Sequence, residues 1–282
     1  MKKFLFVLVI GCFISCQKTK TVEQSLAAET LTDIAYGNDA AQKMDIYLPA
    51  GRSVDSTKLM MLVHGGGWNA GDKSDFTSYL TSLRLKFPHY AIANINYRLA
   101  TTTNNHFPTQ ENDMKAAVDY LVHKSHDYGV SQKIVLVGAS AGAHMALLQA
   151  YKYSSPKIKA VVDFFGPTDM ADLYKFYSSG YVNQNAIQVL MGGTPSTNSV
   201  LYEQSSPFYY VTSQSSPTII FHGNMDNVVP VAQSITLSNK LSSNGVANEL
   251  IRYPNAGHEL WSPAIMNEAI VKIESFLKAN VQ

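Results

Sequence analysis

The sequence predicts an α/β protein: a mostly parallel, eight-stranded sheet with helices on both faces and a short insertion over one edge of that sheet. Three observations predict it. From Thr32 onward, short apolar runs alternate with stretches of helical periodicity, the mark of successive βα units. Most of those runs are apolar throughout, as strands covered on both faces must be. One early pair of strands is joined by a turn too short for a parallel crossover, so the sheet starts antiparallel.

Residues 33–36 and 43–48 form that pair, turning through Gly37-Asn38-Asp39. Residues 59–63 are an apolar run ending in His64 and three glycines, and 90–95 read as a strand followed by Asn96-Tyr97-Arg98. Over 112–122, Met114, Ala117, Val118, Leu121 and Val122 recur at helical spacing. A buried-type strand at 134–137, a helix at 141–151 and strands at 160–165 and 218–221 follow. A helix at 231–241, a strand at 248–253 and an amphipathic helix at 264–277 close the pattern. Between 166 and 216 the period lapses into Ser, Asn, Gly and aromatic residues. That stretch reads as an insertion over the C-terminal ends of the strands, where open α/β sheets bind ligands.

A chain of 282 residues, 46% hydrophobic and 15% charged, can build one large core without disulfides. Its net charge is +1 and its basic residues form no dense block beyond Lys18 and Lys20, which argues against a nucleic-acid partner. The N-terminus differs in kind. Lys2 and Lys3 precede an apolar run at 4–14, a secretory pattern too short to span a bilayer well. Both cysteines lie here. Phe13-Ile14-Ser15-Cys16 resembles the bacterial lipobox, and Val9-Ile10-Gly11-Cys12 fits it with a shorter apolar region. Cys16 is the expected lipidation site because cleavage before it leaves a polar start; ordinary signal-peptide cleavage is the alternative. The expected organisation is a signal peptide at 1–16, a tether at 17–30 and one domain at 31–282. The expected location is the bacterial cell envelope, periplasmic or outer-membrane facing, with membrane contact through the lipid anchor only.

The chemistry begins at Gly138-Ala139-Ser140-Ala141-Gly142, a G-x-S-x-G between a strand and a helix. Such a turn raises the serine hydroxyl above the sheet edge. A serine hydroxyl needs a base to take its proton. Only His258 lies C-terminal to all the candidate acids, in the loop after the last strand. The acid must lie between Ser140 and His258 in the sequence, at a strand end. Asp226, a short turn past 218–221, fits best, with Asp163 and Asp169 as the fallback. His64-Gly65-Gly66-Gly67-Trp68 supplies a glycine run able to aim amide N–H groups at one point. Gly66 and Gly67, with Ala141, are the expected oxyanion donors, the register within the run being open by one residue. His144 reads as a packed helix residue and His222 as a brace for the acid turn. His123 and His126 lack the carboxylate company of a metal site, so neither metal nor cofactor is expected. Trp68, Tyr174 and Tyr177 are the expected substrate-contacting aromatics, stacking on an acyl or sugar group.

These motifs together resemble the carboxylesterase and acetyl/feruloyl-esterase branch of the α/β-hydrolases, and are similar to hormone-sensitive-lipase-like enzymes. The residues carrying the resemblance are H-G-G-G-W, Asn96-Tyr97-Arg98, G-A-S-A-G, Phe165-Gly166-Pro167-Thr168-Asp169, the H-G-x-x-D-x-x-V-P of 222–230 and Gly257-His258. They span about residues 30–280 in family order. Ala143 departs from the second glycine that relatives often carry before His144. The resemblance implies the α/β-hydrolase fold, an insertion over the active site, and ester hydrolysis by a Ser-Asp-His triad. The short insertion speaks against long-chain triglycerides.

The expected function is therefore carboxylic ester hydrolysis through a serine acyl-enzyme, on short acyl or aryl esters such as acetylated or feruloylated carbohydrate. An amidase or peptidase on the same triad, arylformamidase-like or prolyl-oligopeptidase-like, is the second reading. A non-catalytic binding protein is the third. Oligomeric state is not legible.

Overall fold

A computed structural model describes residue 1 and residues 26–178, 184–259 and 262–282, the side chains of 177 and 178 excepted. Cys12 and Cys16 lie outside the described residues. The first half of the chain runs β1 (Glu29–Ala35), β2 (Lys43–Leu48), β3 (Lys58–Val63), α1 (Thr77–Lys86), β4 (Tyr90–Ile95), α2 (Thr109–Lys124), β5 (Ile134–Ala139) and α3 (Ala141–Lys152). The second half runs β6 (Ala160–Phe164), α4 (Met170–Ser178), α5 (Asn185–Met191), α6 (Ser199–Gln204), β7 (Thr218–Gly223), α7 (Ala232–Ser243), β8 (Asn248–Tyr253) and α8 (Pro263–Asn280). The eight strands form one sheet in the order β1-β2-β4-β3-β5-β6-β7-β8. Only the β1–β2 and β2–β4 pairs are antiparallel.

The near-continuous apolar strands are explained by burial on both faces. In β3, Leu59, Met61 and Val63 pack in the cluster that holds Val118 and Leu121 of α2, Leu147 and Leu148 of α3, and Leu237 of α7. Met60 and Leu62 point the other way, into the cluster with Leu80 and Leu83 of α1 and Ile270 and Ile273 of α8. The two-residue period of a strand thus feeds two separate helix layers. Because β3, β5, β6, β7 and β8 are parallel, their C-terminal ends share one edge. The loops carrying His64–Trp68, Ser140, Phe165–Asp169, Asp226 and His258 all leave from it.

Three elements differ from expectation. β1 begins at Glu29, inside the segment read as tether, because its edge position leaves only Leu31 and Ile34 half-buried and so leaves little apolar signal. α1 was not expected: its sequence, TSYLTSLRLK, buries only Leu80 and Leu83. The 166–216 stretch is not irregular but holds α4, α5, α6 and a 3-10 turn at Pro207–Tyr210. α5 and α6 have seven and six residues, too few to display a helical period.

The Asn96-Tyr97-Arg98 motif proves to be an anchor of this frame. Asp113 of α2 is fully buried and receives Nε and Nη2 of Arg98 at 3.0 and 2.5 Å, the Arg98 amide at 2.8 Å and Gln42 Nε2 at 2.8 Å. Removing Arg98 would leave an uncompensated buried carboxylate. Arg98→Ala is expected to destabilise the protein by about 3 kcal/mol, read as a lower urea midpoint at unchanged slope.

Candidate active site

Ser140 is the one residue between β5 and α3, and its backbone sits at φ 53, ψ −118. A side chain rarely tolerates that conformation, and it persists only where neighbours enforce it. Here the neighbours are close. A Cβ on Gly138 would strike the Gly142 carbonyl, and one on Gly142 would strike the Val63 carbonyl at the end of β3. The Ser140 amide donates to the Phe164 carbonyl at 2.8 Å, tying the turn to β6. The two glycines flanking the serine are therefore required by packing.

Ser140 Oγ lies 2.8 Å from His258 Nε2, and His258 Nδ1 lies 2.7 Å from Asp226 Oδ2. A carboxylate facing Nδ1 makes that nitrogen the donor, leaving Nε2 to accept the serine proton. The structure thus joins the three expected catalytic residues, and among the described residues no hydrogen bond joins Asp163 or Asp169 to His258.

The acid is held by four donors. Asp226 Oδ1 accepts from the amides of Val228 and Val229, both at 2.8 Å. Oδ2 accepts from His258 and lies 3.2 Å from His222 Nε2. His222 is fully buried; its Nε2 also faces the Val229 carbonyl at 2.9 Å and its Nδ1 faces Ser234 Oγ at 2.7 Å. Two acceptors at Nε2 place a proton there, so His222 donates to Asp226 from Nε2 while its Nδ1 pairs with Ser234. Burial pushes the Asp226 carboxyl up, but the hydrogen bonds from His222 and His258 outweigh it and hold it at about 2. Asp163 shows the opposite balance. It is fully buried, and among the described residues Oδ1 accepts only the Gly166 amide at 2.7 Å and Oδ2 has no hydrogen-bond partner. Burial pushes it up to about 7.

Gly66 and Gly67 line the same cavity as Ser140 and His258. Gly66 has φ +94, and its carbonyl accepts from the amides of Asn69 and Ala70 at 3.2 and 2.9 Å. The chain is thereby locked in a tight reversal. Among the described residues, the N–H groups of Gly66, Gly67 and Ala141 have no acceptor. Free amide donors grouped beside a nucleophile are what a developing oxyanion needs.

The cavity is about 460 Å³, walled mainly by Trp68, Phe76, Phe165, Leu173, Val228 and Val229. Trp68 is only 4% exposed, and its Nε1 donates to His144 Nδ1 at 3.2 Å. It is a wall rather than a stacking platform. His144 in turn donates Nε2–H to the Ser205 carbonyl at 2.6 Å, and burial pushes its pKa down to about 4. Beyond being packed, His144 links the glycine loop to the insertion. Tyr174 does not line the cavity, contrary to expectation. Successive helical residues point about 100° apart, so the neighbouring Leu173 takes the cavity position. The Tyr174 hydroxyl accepts from Gln188 Nε2 at 2.6 Å, and its ring packs edge-on against Tyr202. The Tyr177 side chain lies outside the described residues. Sequence reasoning missed Phe165, whose ring meets His258 edge-on at 4.8 Å. Its place directly after β6, at the same edge as Ser140, was the available signal. It also missed Asp75 and Glu259, the acidic side chains of the lining.

Residues 44–241 match the BD-FAE family model, and the chain belongs to that family. It is similar to the esterase LipC of Mycobacterium tuberculosis, 24% identical over 241 residues, covering 80% of this chain and 58% of LipC. It therefore spans little more than half the length of that relative. Among solved structures it resembles a bifunctional GH43-CE protein of Bacteroides eggerthii (TM-score 0.77, 26% identity, 90% of this chain and 38% of that one). It also resembles a truncated carbohydrate esterase from gut microbiota (TM-score 0.72, 22% identity, 88% and 97% covered). The fold is that of the α/β-hydrolases.

Two carboxylates can now be told apart by experiment. Asp226→Asn reverses the hydrogen-bond polarity at Nδ1 and is expected to lower kcat by about 10⁴ at unchanged fold. Asp163→Asn keeps the acceptor for Gly166 and is expected to hold kcat within about threefold. The Asp163 value in the folded state lies above its unfolded value of about 3.9. Its contribution to stability is thus full below that value and is lost as pH rises through about 7. Denaturation from pH 4 to 8 should show that loss in the wild type and not in Asp163→Asn.

Proposed function

We propose that this protein hydrolyses carboxylic esters through a Ser140 acyl-enzyme. The observation that carries the reading is the continuous Ser140–His258–Asp226 relay beside three unspent amide donors. Ser140 Oγ attacks the ester carbonyl as His258 Nε2 takes its proton. The oxyanion forms against the N–H groups of Gly66, Gly67 and Ala141. Collapse breaks the ester C–O bond, and His258 returns the proton to the departing alcohol. Water then attacks the acyl-enzyme, with His258 again acting as base, and releases the acid. Asp226, held ionised, keeps the imidazole in the working tautomer and steadies its positive charge.

The cavity supports a small substrate. Its walls are mostly apolar, and among the described residues its lining carries Asp75 and Glu259 but no Lys or Arg. That suits a neutral short acyl or aryl ester, such as an acetylated or feruloylated sugar. Similarity to a protein named as a carbohydrate esterase favours the same class. Ser140→Ala is expected to lower 4-nitrophenyl acetate hydrolysis about a thousandfold or more. Equal rates in the two proteins would sink the assignment. The N-terminal pattern of Lys2, Lys3, the apolar run and Cys16 supports export and lipid anchoring at the cell envelope. Cys16→Ala should move the protein from the membrane to the soluble fraction of expressing cells.

A further inference from the structure

A second cavity of about 300 Å³ lies against the catalytic one. The two share a wall: Pro167 and Leu173 face the catalytic cavity, whereas Thr168 and Asp172 face the second. The base of this second cavity is rigid. Gln233 is buried and its amide is fully used. Its Oε1 accepts from the amides of Thr168 and Asp169, both at 2.8 Å, and its Nε2 donates to Asp172 Oδ2 at 2.8 Å.

Above that base stands Tyr209, 48% exposed. Its hydroxyl donates to Asp169 Oδ2 at 3.0 Å, and the Phe208 ring meets it edge-on at 5.5 Å. Lys240 Nζ lies 3.9 Å from the Phe208 ring centroid and 5.9 Å from that of Tyr209. An exposed tyrosine tethered at its hydroxyl offers a ring face in one orientation, so little rotamer freedom is lost on binding. Asp172 and Thr236 are exposed along the same cavity and supply a carboxylate acceptor and a hydroxyl.

A fixed aromatic face beside carboxylate and hydroxyl groups complements a ring with C–H on its faces and hydroxyls around its rim. Asp169 and Asp172 are balanced by two ammonium groups, Lys175 in the lining and Lys240 beside the Phe208 and Tyr209 rings, so the cavity carries no net charge that would favour an ionic ligand. We propose that this cavity is a subsite for a neutral pyranose unit of an oligosaccharide whose ester group occupies the catalytic cavity. The proposal rests on the carbohydrate-ester reading given above. In this arrangement a neighbouring sugar is held across the 167–173 wall while the ester alone enters the catalytic cavity.

The test uses unesterified xylohexaose and cellohexaose as probes, titrated calorimetrically into the wild type, Tyr209→Ala and Tyr209→Phe. Turnover of acetylated xylohexaose and 4-nitrophenyl acetate is measured in parallel. At least one probe should bind the wild type, and Tyr209→Ala should weaken that binding about tenfold. KM for acetylated xylohexaose should rise by about the same factor at unchanged kcat, with 4-nitrophenyl acetate unaffected, while Tyr209→Phe retains most of the affinity. The intact small-ester rate also reports that the variant is folded. The proposal is overturned if neither probe binds the wild type, or if Tyr209→Ala alters both substrates alike or neither. Absence of small-ester turnover in the wild type would instead remove the esterase reading, with probe binding still reporting on the subsite.

Discussion

Between the last residue of β5 and the first of α3 there is room for one residue, and the rest of the site is arranged around how that residue is held. Ser140 adopts φ 53, ψ −118 because α3 packs so closely over the end of β3 that Gly142 sits against the Val63 carbonyl. The same approach places Gly65 against Ser140: a Cβ on Gly65 would lie 3.3 Å from the serine Cβ. The glycine loop and Ser140 are thus neighbours because two parallel strands are neighbours. Ser140 and the amide donors are brought together by sheet order, and the strain at Ser140 is carried by the two layers of core on either side of it.

Electrostatics completes what packing begins. Two carboxylates sit at the ends of adjacent strands and are driven apart by their hydrogen-bond partners. Asp226 receives four donors and stays ionised; Asp163 receives one and is pushed toward the neutral form. The buried His222 is a main reason for the difference, since its Nε2–H faces Asp226 while its other nitrogen is occupied by Ser234. Negative charge is therefore kept beside the His258 imidazole. A similar chain runs from Trp68 through His144 to Ser205, so the glycine loop, α3 and the insertion are coupled through one buried imidazole.

How much of this was legible in the sequence follows from where each signal resides. That Ser140, His258 and Asp226 would meet was readable because chain order and strand ends constrain them, and both are visible in one dimension. The parallel sheet was readable from doubly buried strands. β1 was placed too late because an edge strand with two half-buried residues carries little apolar pattern. Tyr174 was misplaced because composition reveals aromatic content but not which side of a short helix faces the cavity. Phe165, Asp75 and Glu259 were missed because a cavity lining is assembled from loops that lie far apart in the chain.

The central claim is that Ser140 becomes acylated during turnover. The most direct measurement is peptide mass spectrometry on enzyme acid-quenched during steady-state hydrolysis of 4-nitrophenyl acetate. The account predicts one acetyl group on the peptide containing Ser140, absent in Ser140→Ala. Acetyl on another residue at the turnover-competent level, or undiminished turnover by Ser140→Ala with no acyl-enzyme formed, would contradict it.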